Sequence, residues 1–117
     1  MRFAIIGAGA VGSLYGASLA LAGFDVILVH RDVSTVRTIQ KNGITLTGIN
    51  GKTNRVRVPI RKGPVNLPGI EVVIVAVKAY DTLNVARSYR KMIPQDATVL
   101  SLQNGLGNVE TLHSILK

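Results

Sequence analysis

Gly7-Ala-Gly-Ala-Val-Gly12 stands between a short apolar run and a longer one, in the spacing G-x-G-x-x-G. Glycines so spaced suit the binding of a diphosphate by backbone alone. The first permits a tight turn out of a strand, the second lets the main chain approach a pyrophosphate, and the third lets a helix pack close on that strand. The helix that opens here points its N–H groups and the positive end of its dipole at the anion. The backbone of Gly7, Ala8, Gly9, Ala10, Val11 and Gly12 is therefore the candidate dinucleotide cradle. A glycine-rich turn can also serve packing with no ligand. What favours the ligand here is context: a predicted strand before the turn, a predicted helix after it and a second strand on schedule.

Folds of this kind read the adenine ribose about 20 residues further on, at the tip of the second strand. An acid there accepts from the ribose 2′-hydroxyl of NAD, whereas an Arg binds the 2′-phosphate of NADP. This chain offers both, in Val29-His30-Arg31-Asp32. Arg31 lies nearer the strand tip, and Asp32 has a competing duty as N-cap of the next helix. Arg31 is accordingly assigned to a 2′-phosphate and Asp32 to capping; the plainer alternative for Arg31 is an exposed charge paired with Asp32. Two further polar groups fall at strand ends: Lys78 in Val75-Ala-Val-Lys-Ala-Tyr-Asp81, and Gln103-Asn104 in Ser101-Leu-Gln-Asn-Gly-Leu-Gly107. Taken singly, Lys78 reads as a solvated lysine and Asn104-Gly105 as an ordinary turn. In an open parallel sheet, however, ligands bind outside the carboxyl ends of the strands, so Gly9, Arg31, Lys78 and Asn104 are expected on one edge.

The elements that must place these residues are legible from patterning. Phe3–Ile6, Val26–Val29, Val72–Val77 and Thr98–Leu102 are short runs rich in Val and Ile without alternation, the mark of parallel strands buried on both faces. Helices are expected at about Val11–Ala22, at Asp32–Lys41 before the Asn42-Gly43 stop, at Asp81–Lys91 and at Val109–Leu116. Gly12, Gly16 and Ala20 share one face of the first helix and allow it to lie close on the sheet. Ile44-Thr-Leu-Thr and Arg55-Val-Arg-Val-Pro-Ile alternate apolar with polar around Asn50-Gly51, which predicts a solvent-facing hairpin. Gly63–Gly69 reads as a loop. The expectation is an α/β domain over residues 1–117: a Rossmann-type doubly wound, mostly parallel sheet with an inserted β-hairpin. A doubly wound sheet usually continues beyond a fifth strand, so the chain reads as a front half.

Composition narrows the alternatives. The 117 residues include 14 Lys and Arg against 6 Asp and Glu, and no Cys. A disulfide framework and thiolate-ligated metals are excluded. His30 and His113 are too distant in sequence for a metal motif, so no metal site is expected; His30 reads as a strand-end residue and His113 as a surface one. The net charge of +8 favours an anionic partner. Phe3–Phe24 carries no charge and imitates a membrane span or signal peptide, but five glycines interrupt it, each costing a helix interior roughly 1 kcal/mol. No membrane association is expected; the absence of Cys fits a reducing compartment, and a cytoplasmic location is expected. Lys52, Arg55, Arg57, Arg61 and Lys62 form an acid-free run that could follow a nucleic-acid backbone. No aromatic lies within it for base stacking, so it reads as a charged strand edge, with no nucleic-acid partner.

The opening strand with its glycine turn, Arg31, Val77-Lys78-Ala-Tyr and Gln103-Asn104-Gly105-Leu-Gly107 together resemble the ketopantoate reductases (2-dehydropantoate 2-reductases), in order and over nearly the whole chain. The resemblance implies an NADP(H)-dependent reductase of a 2-keto acid, ketopantoate to pantoate, in the pantothenate branch leading to coenzyme A. It implies that Arg31 and Lys78 hold the adenosine phosphate end and that Asn104 lies near nicotinamide and substrate. Family members add a helical domain carrying a catalytic lysine and a substrate-binding glutamate, which leaves the catalytic residues beyond this chain; Glu71 and Glu110 are isolated. The expected partners are thus NADPH, a 2-keto acid and a missing or separate helical domain, and a homodimer is compatible with the resemblance. The chain alone is expected to bind NADPH and to turn over poorly. A non-catalytic dinucleotide-sensing module is the alternative function.

Overall fold

The computed structural model describes residues 1–48, 51–78, 81–102 and 112–113. In chain order these form β1 (Arg2–Ile6), α1 (Ala10–Leu21), β2 (Asp25–His30), α2 (Val33–Asn42), β3 (Ile44–Thr47), β4 (Thr53–Val56), β5 (Ile60–Lys62), β6 (Val72–Val75), α3 (Thr82–Tyr89) and β7 (Thr98–Ser101). The main sheet has five strands in the order β5-β2-β1-β6-β7, and every neighbouring pair is parallel. The chain therefore starts in the middle, builds outward through β2 to β5, then crosses to β6 and β7 on the other side. That reversal beside β1 is the topological switch point, where the carboxyl ends of β1 and β6 part and open a crevice.

β1 explains why its sequence lacks alternation. Ala4 and Ile6 face one side, packed with Val29, Val73, Val75, Ala86 and Tyr89. Ile5 faces the other, with Ala17, Leu28, Val36, Val56 and Ile74. Both faces are covered, so every position is apolar. The Phe3–Phe24 run divides into β1, the glycine turn, the 12-residue α1 and the start of a second turn. No helix among the described residues is long and apolar enough to cross a membrane.

Three differences from expectation have physical causes. The predicted hairpin arm Arg55–Ile60 is two elements: β4 pairs antiparallel with β3 and ends at Val56, while Ile60–Lys62 joins the main sheet as β5. Pro59 divides them, since it has no N–H for a ladder, and its carbonyl accepts from the Leu28 amide at 2.8 Å. The hairpin is also not wholly solvent-facing, because Val56 is buried and Ile44 and Leu46 pack on the same cluster as α1. Finally, α3 stops at Tyr89 rather than Lys91, where the buried tyrosine ring closes the core beneath the crevice. Leu112 is buried in that core and His113 is exposed; the remainder of the predicted fourth helix, like Gln103, Asn104 and Gly105, lies outside the described residues.

Close approach of α1 to the sheet depends on small residues. A Cβ at Gly12 would collide with the Gly7 carbonyl oxygen, whereas one at Gly16 would meet Leu28 Cδ2 at 2.8 Å. Backbone cannot yield but a leucine terminus can. Gly12→Ala is therefore expected to lower the unfolding free energy by about 1–3 kcal/mol. Gly16→Ala should cost less, part of its strain being offset by the helix propensity of Ala. Urea denaturation of both variants checks the ranking.

Candidate functional site

The glycine turn is pinned from three sides. The Gly7 amide donates to the Val29 carbonyl at 2.8 Å, the Ala8 amide donates to His30 Nδ1 at 2.9 Å, and Ser13 Oγ donates to the Ala8 carbonyl at 3.0 Å. Gly7 has φ near 108°, a left-handed conformation that side chains rarely adopt. A Cβ there would also stand 2.9 Å from the Val77 nitrogen. Gly7 and Gly12 thus owe their identity to the chain's own packing.

Gly9 does not. It occupies the N-cap position of α1 at φ −75°, open to any residue, and a Cβ built on it meets nothing within 4 Å. The space in front of Gly9 is also where α1 begins. The first N–H groups of a helix have no intrahelical acceptor; at α1 they belong to the turn's Ala10, Val11 and Gly12. No acidic side chain occupies the first turn of α1 to neutralise its dipole. The residues present therefore fit a bound diphosphate: vacant volume, aligned amides and a positive dipole in one place.

A cleft of about 590 Å³ extends from this turn across the switch point. Its floor is Ile6, Gly7 and Gly9 from the β1 end and Ala76, Val77 and Lys78 following β6. One wall is the β2 tip, His30, Arg31 and Asp32; another is the α3 face with Asp81, Asn84 and Ser88. Gly63 and Pro64, from the loop after β5, complete the rim. Arg31, Lys78 and the glycine turn, distant in sequence, therefore meet at one edge. Asn104 lies outside the described residues. The volume falls in the range of small-molecule sites.

The carboxylates of the cleft divide their duties unexpectedly. Asp32 caps α2, accepting from the Thr35 amide at 3.3 Å and from Thr35 Oγ1 at 2.7 Å. These bonds, the hydroxyl first, hold its carboxyl below the usual range. Arg31 does not pair with its neighbour Asp32. Its guanidinium Nη1 instead lies 3.2 Å from Asp81 Oδ1, with Arg31 69% exposed and Asp81 13% exposed. The guanidinium side of this pair is open to solvent, so an incoming anion can reach it.

Nothing in composition or spacing singles out His30. Its Nδ1 can accept from Ala8 only while unprotonated, so the ring is neutral with its proton on Nε2. Burial pushes its pKa below the ordinary 6.5, Asp32 opposes that shift and Arg31 adds to it. The Ala8 amide, grouped above with the cofactor-facing backbone, is thereby engaged within the chain. Asn84 and Ser88 were also missed; their only signal was a spacing that shares a helix face with Asp81.

Because folding lowers the His30 pKa, the unfolded chain binds the extra proton, and stability is lost as pH falls below about 6.5 and through the lower folded value. His30→Ala should leave the Ala8 amide unpaired at a cost of about 1–3 kcal/mol and should flatten this part of the pH dependence. Urea unfolding at intervals between pH 5 and 8 measures both.

Residues 3–117 match the sequence profile of the family described as ketopantoate reductase PanE/ApbA. The 2-dehydropantoate 2-reductase of Archaeoglobus fulgidus is 42% identical over 112 residues, covering 95% of this chain and 35% of that protein. That of Pyrococcus abyssi is 38% identical over 112 residues, covering 96% and 36%. The chain thus spans little more than a third of these relatives' length. Among solved structures, a PanE/ApbA family ketopantoate reductase from Ralstonia eutropha JMP134 superposes with a TM-score of 0.89 at 40% identity, covering 99% of this chain and 38% of the other. A D-mandelate dehydrogenase with NADH and anilino(oxo)acetate superposes at 0.87 and 28% identity, with 99% and 37% covered. Fold, glycine turn and sequence likeness agree along nearly the entire chain: it belongs to the ketopantoate reductase family.

Proposed function

We propose that residues 1–117 are the NADPH-binding domain of a 2-dehydropantoate 2-reductase-like oxidoreductase, which reduces ketopantoate to pantoate for pantothenate and coenzyme A synthesis when joined to its catalytic half. The observation that carries this reading is Gly9: a glycine required by neither conformation nor internal packing, facing open space at the N-terminus of α1. Its smallness serves something outside the chain, and the site's amides and dipole suit a diphosphate. The D-mandelate dehydrogenase with NADH supports the placement of a dinucleotide on this fold.

When bound, the nicotinamide supplies a hydride. The residues of this chain hold and orient the carrier. Amides from Gly9 to Gly12 receive the diphosphate, Arg31 the 2′-phosphate, and Lys78 adds positive charge from the floor of the cleft. The family resemblance assigns Asn104, outside the described residues, to the nicotinamide and substrate end. The proton that reduction of a keto group requires, and recognition of the acid, are assigned to the joined protein rather than to any group of this cleft.

Titration of the 117-residue chain should give NADPH binding at least about tenfold tighter than NADH, since a charge-assisted contact contributes roughly 1.5–3 kcal/mol. Arg31→Ala should erase the difference; equal affinities in the unaltered chain would contradict the assignment. Gly9→Asp separates binding from folding. Asp is a favourable N-cap, so unfolding should shift by no more than about 0.5 kcal/mol, yet both dinucleotides should bind at least tenfold more weakly because the carboxylate stands where the diphosphate goes (about 1.4 kcal/mol per tenfold). With ketopantoate, the chain by itself should oxidise NADPH slowly or not at all, and robust turnover would overturn the assignment of proton donation to the joined protein.

A further inference from the structure

Asp81 occupies the N-cap position of α3, where a carboxylate ordinarily accepts from the first amides of the helix, but its side chain makes no such bond. Asp32, in the same position on α2, does. The Asp81 carboxylate is directed instead to Arg31, with 3.2 Å between Oδ1 and Nη1. The two partners differ in how firmly they are placed. Asp81 is largely enclosed in the cleft wall, and its backbone amide donates to the Lys78 carbonyl at 2.9 Å. Arg31 reaches it from solvent. A fixed negative charge therefore lies behind the guanidinium at the end of the cleft that would distinguish one dinucleotide from the other.

We infer that Asp81 is a cofactor-specificity residue, whose fixed carboxylate competes with the ribose 2′-phosphate for Arg31 and so narrows the preference for NADPH over NADH. The inference rests on the dinucleotide reading above and goes beyond it. A 2′-phosphate must draw Arg31 from Asp81 or share it, and in either case meets a second anion close by. A ribose 2′-hydroxyl brings no charge, suffers no repulsion and can donate to a carboxylate held there. The same group thus disfavours one ligand and tolerates the other, which is specificity by a repulsive element. Lys78, also lining the cleft, is the cation that partly offsets this repulsion.

The test measures NADPH and NADH dissociation constants for the unaltered chain, Asp81→Asn, Asp81→Ser, Arg31→Ala and the Arg31→Ala/Asp81→Asn double variant. Ser retains the capacity to cap α3, and the ligand-free unfolding midpoint identifies whichever Asp81 variant matches the parent fold. Relieving one like-charge contact should tighten NADPH about three- to tenfold while NADH stays level or weakens. In the Arg31→Ala background the gain should shrink, because no guanidinium is left to release; the double-mutant cycle reads that coupling. Unchanged or weaker NADPH binding in a well-folded Asp81 variant would mean that Asp81 orients Arg31 toward the phosphate, and would overturn the inference alone. If the unaltered chain bound neither dinucleotide, the proposed function would fall and the inference with it.

Discussion

The turn from β1 into α1 brings main chain against main chain at a separation that no side chain can enter. The Gly12 position rests on the Gly7 carbonyl, and Gly7 in turn lies against the backbone of Ala76 and Val77 beyond β6. Strand, helix and neighbouring strand are thereby locked at one point. That point is also the switch in sheet order, so the constraint that allows α1 to pack is the one that aims its N-terminus into the crevice. The shape of the cleft depends on this contact. The hydrogen bonds from Gly7 to Val29 and from Ala8 to His30 extend it to β2, and so fix the N-terminus of α1 relative to the strand tip bearing Arg31.

Electrostatics in the cleft are more balanced than the net charge of +8 suggests. The α1 dipole, Arg31 and Lys78 favour an anion, but Asp32 and Asp81 line the same space. Asp32 is occupied by its helix, and Asp81 by Arg31. Five of the cations lie elsewhere, on the acid-free run from Lys52 to Lys62. Part of that run, Arg61 and Lys62, proves to be the exposed edge strand of the main sheet, where charge discourages pairing with another chain. Positive charge in the sequence therefore points to solubility and edge protection at one place and to ligand binding at another, and only strand position separates the two.

Features governed by local chemistry were legible. Four of the five parallel strands announced themselves as unbroken Val and Ile runs, the glycine turn by spacing, and the α2 cap by Asp32 with a stop at Asn42-Gly43. β5 was hidden because it is three residues long, lies at the edge and exposes two cations; its burial on one side by Ile60 imitates a hairpin arm. The role of His30 was invisible for a different reason. A hydrogen bond across 22 residues, to a backbone amide, leaves no trace in composition or period. The same holds for Arg31, whose adjacent acid in sequence is not its partner in space: strand-end geometry turns Asp32 toward α2 and leaves Arg31 to Asp81, the N-cap of a helix, 50 residues later. Long-range pairing of polar groups is what a single sequence conceals.

A structure of the chain crystallised or soaked with NADPH tests the dinucleotide cradle at atomic level. The diphosphate is expected on the amides that open α1, in the space before Gly9, with the ribose phosphate against the Arg31 guanidinium and the adenosine lying over the β2 tip. A ligand bound at any other surface, or a cleft left vacant at saturating concentration, would contradict this placement.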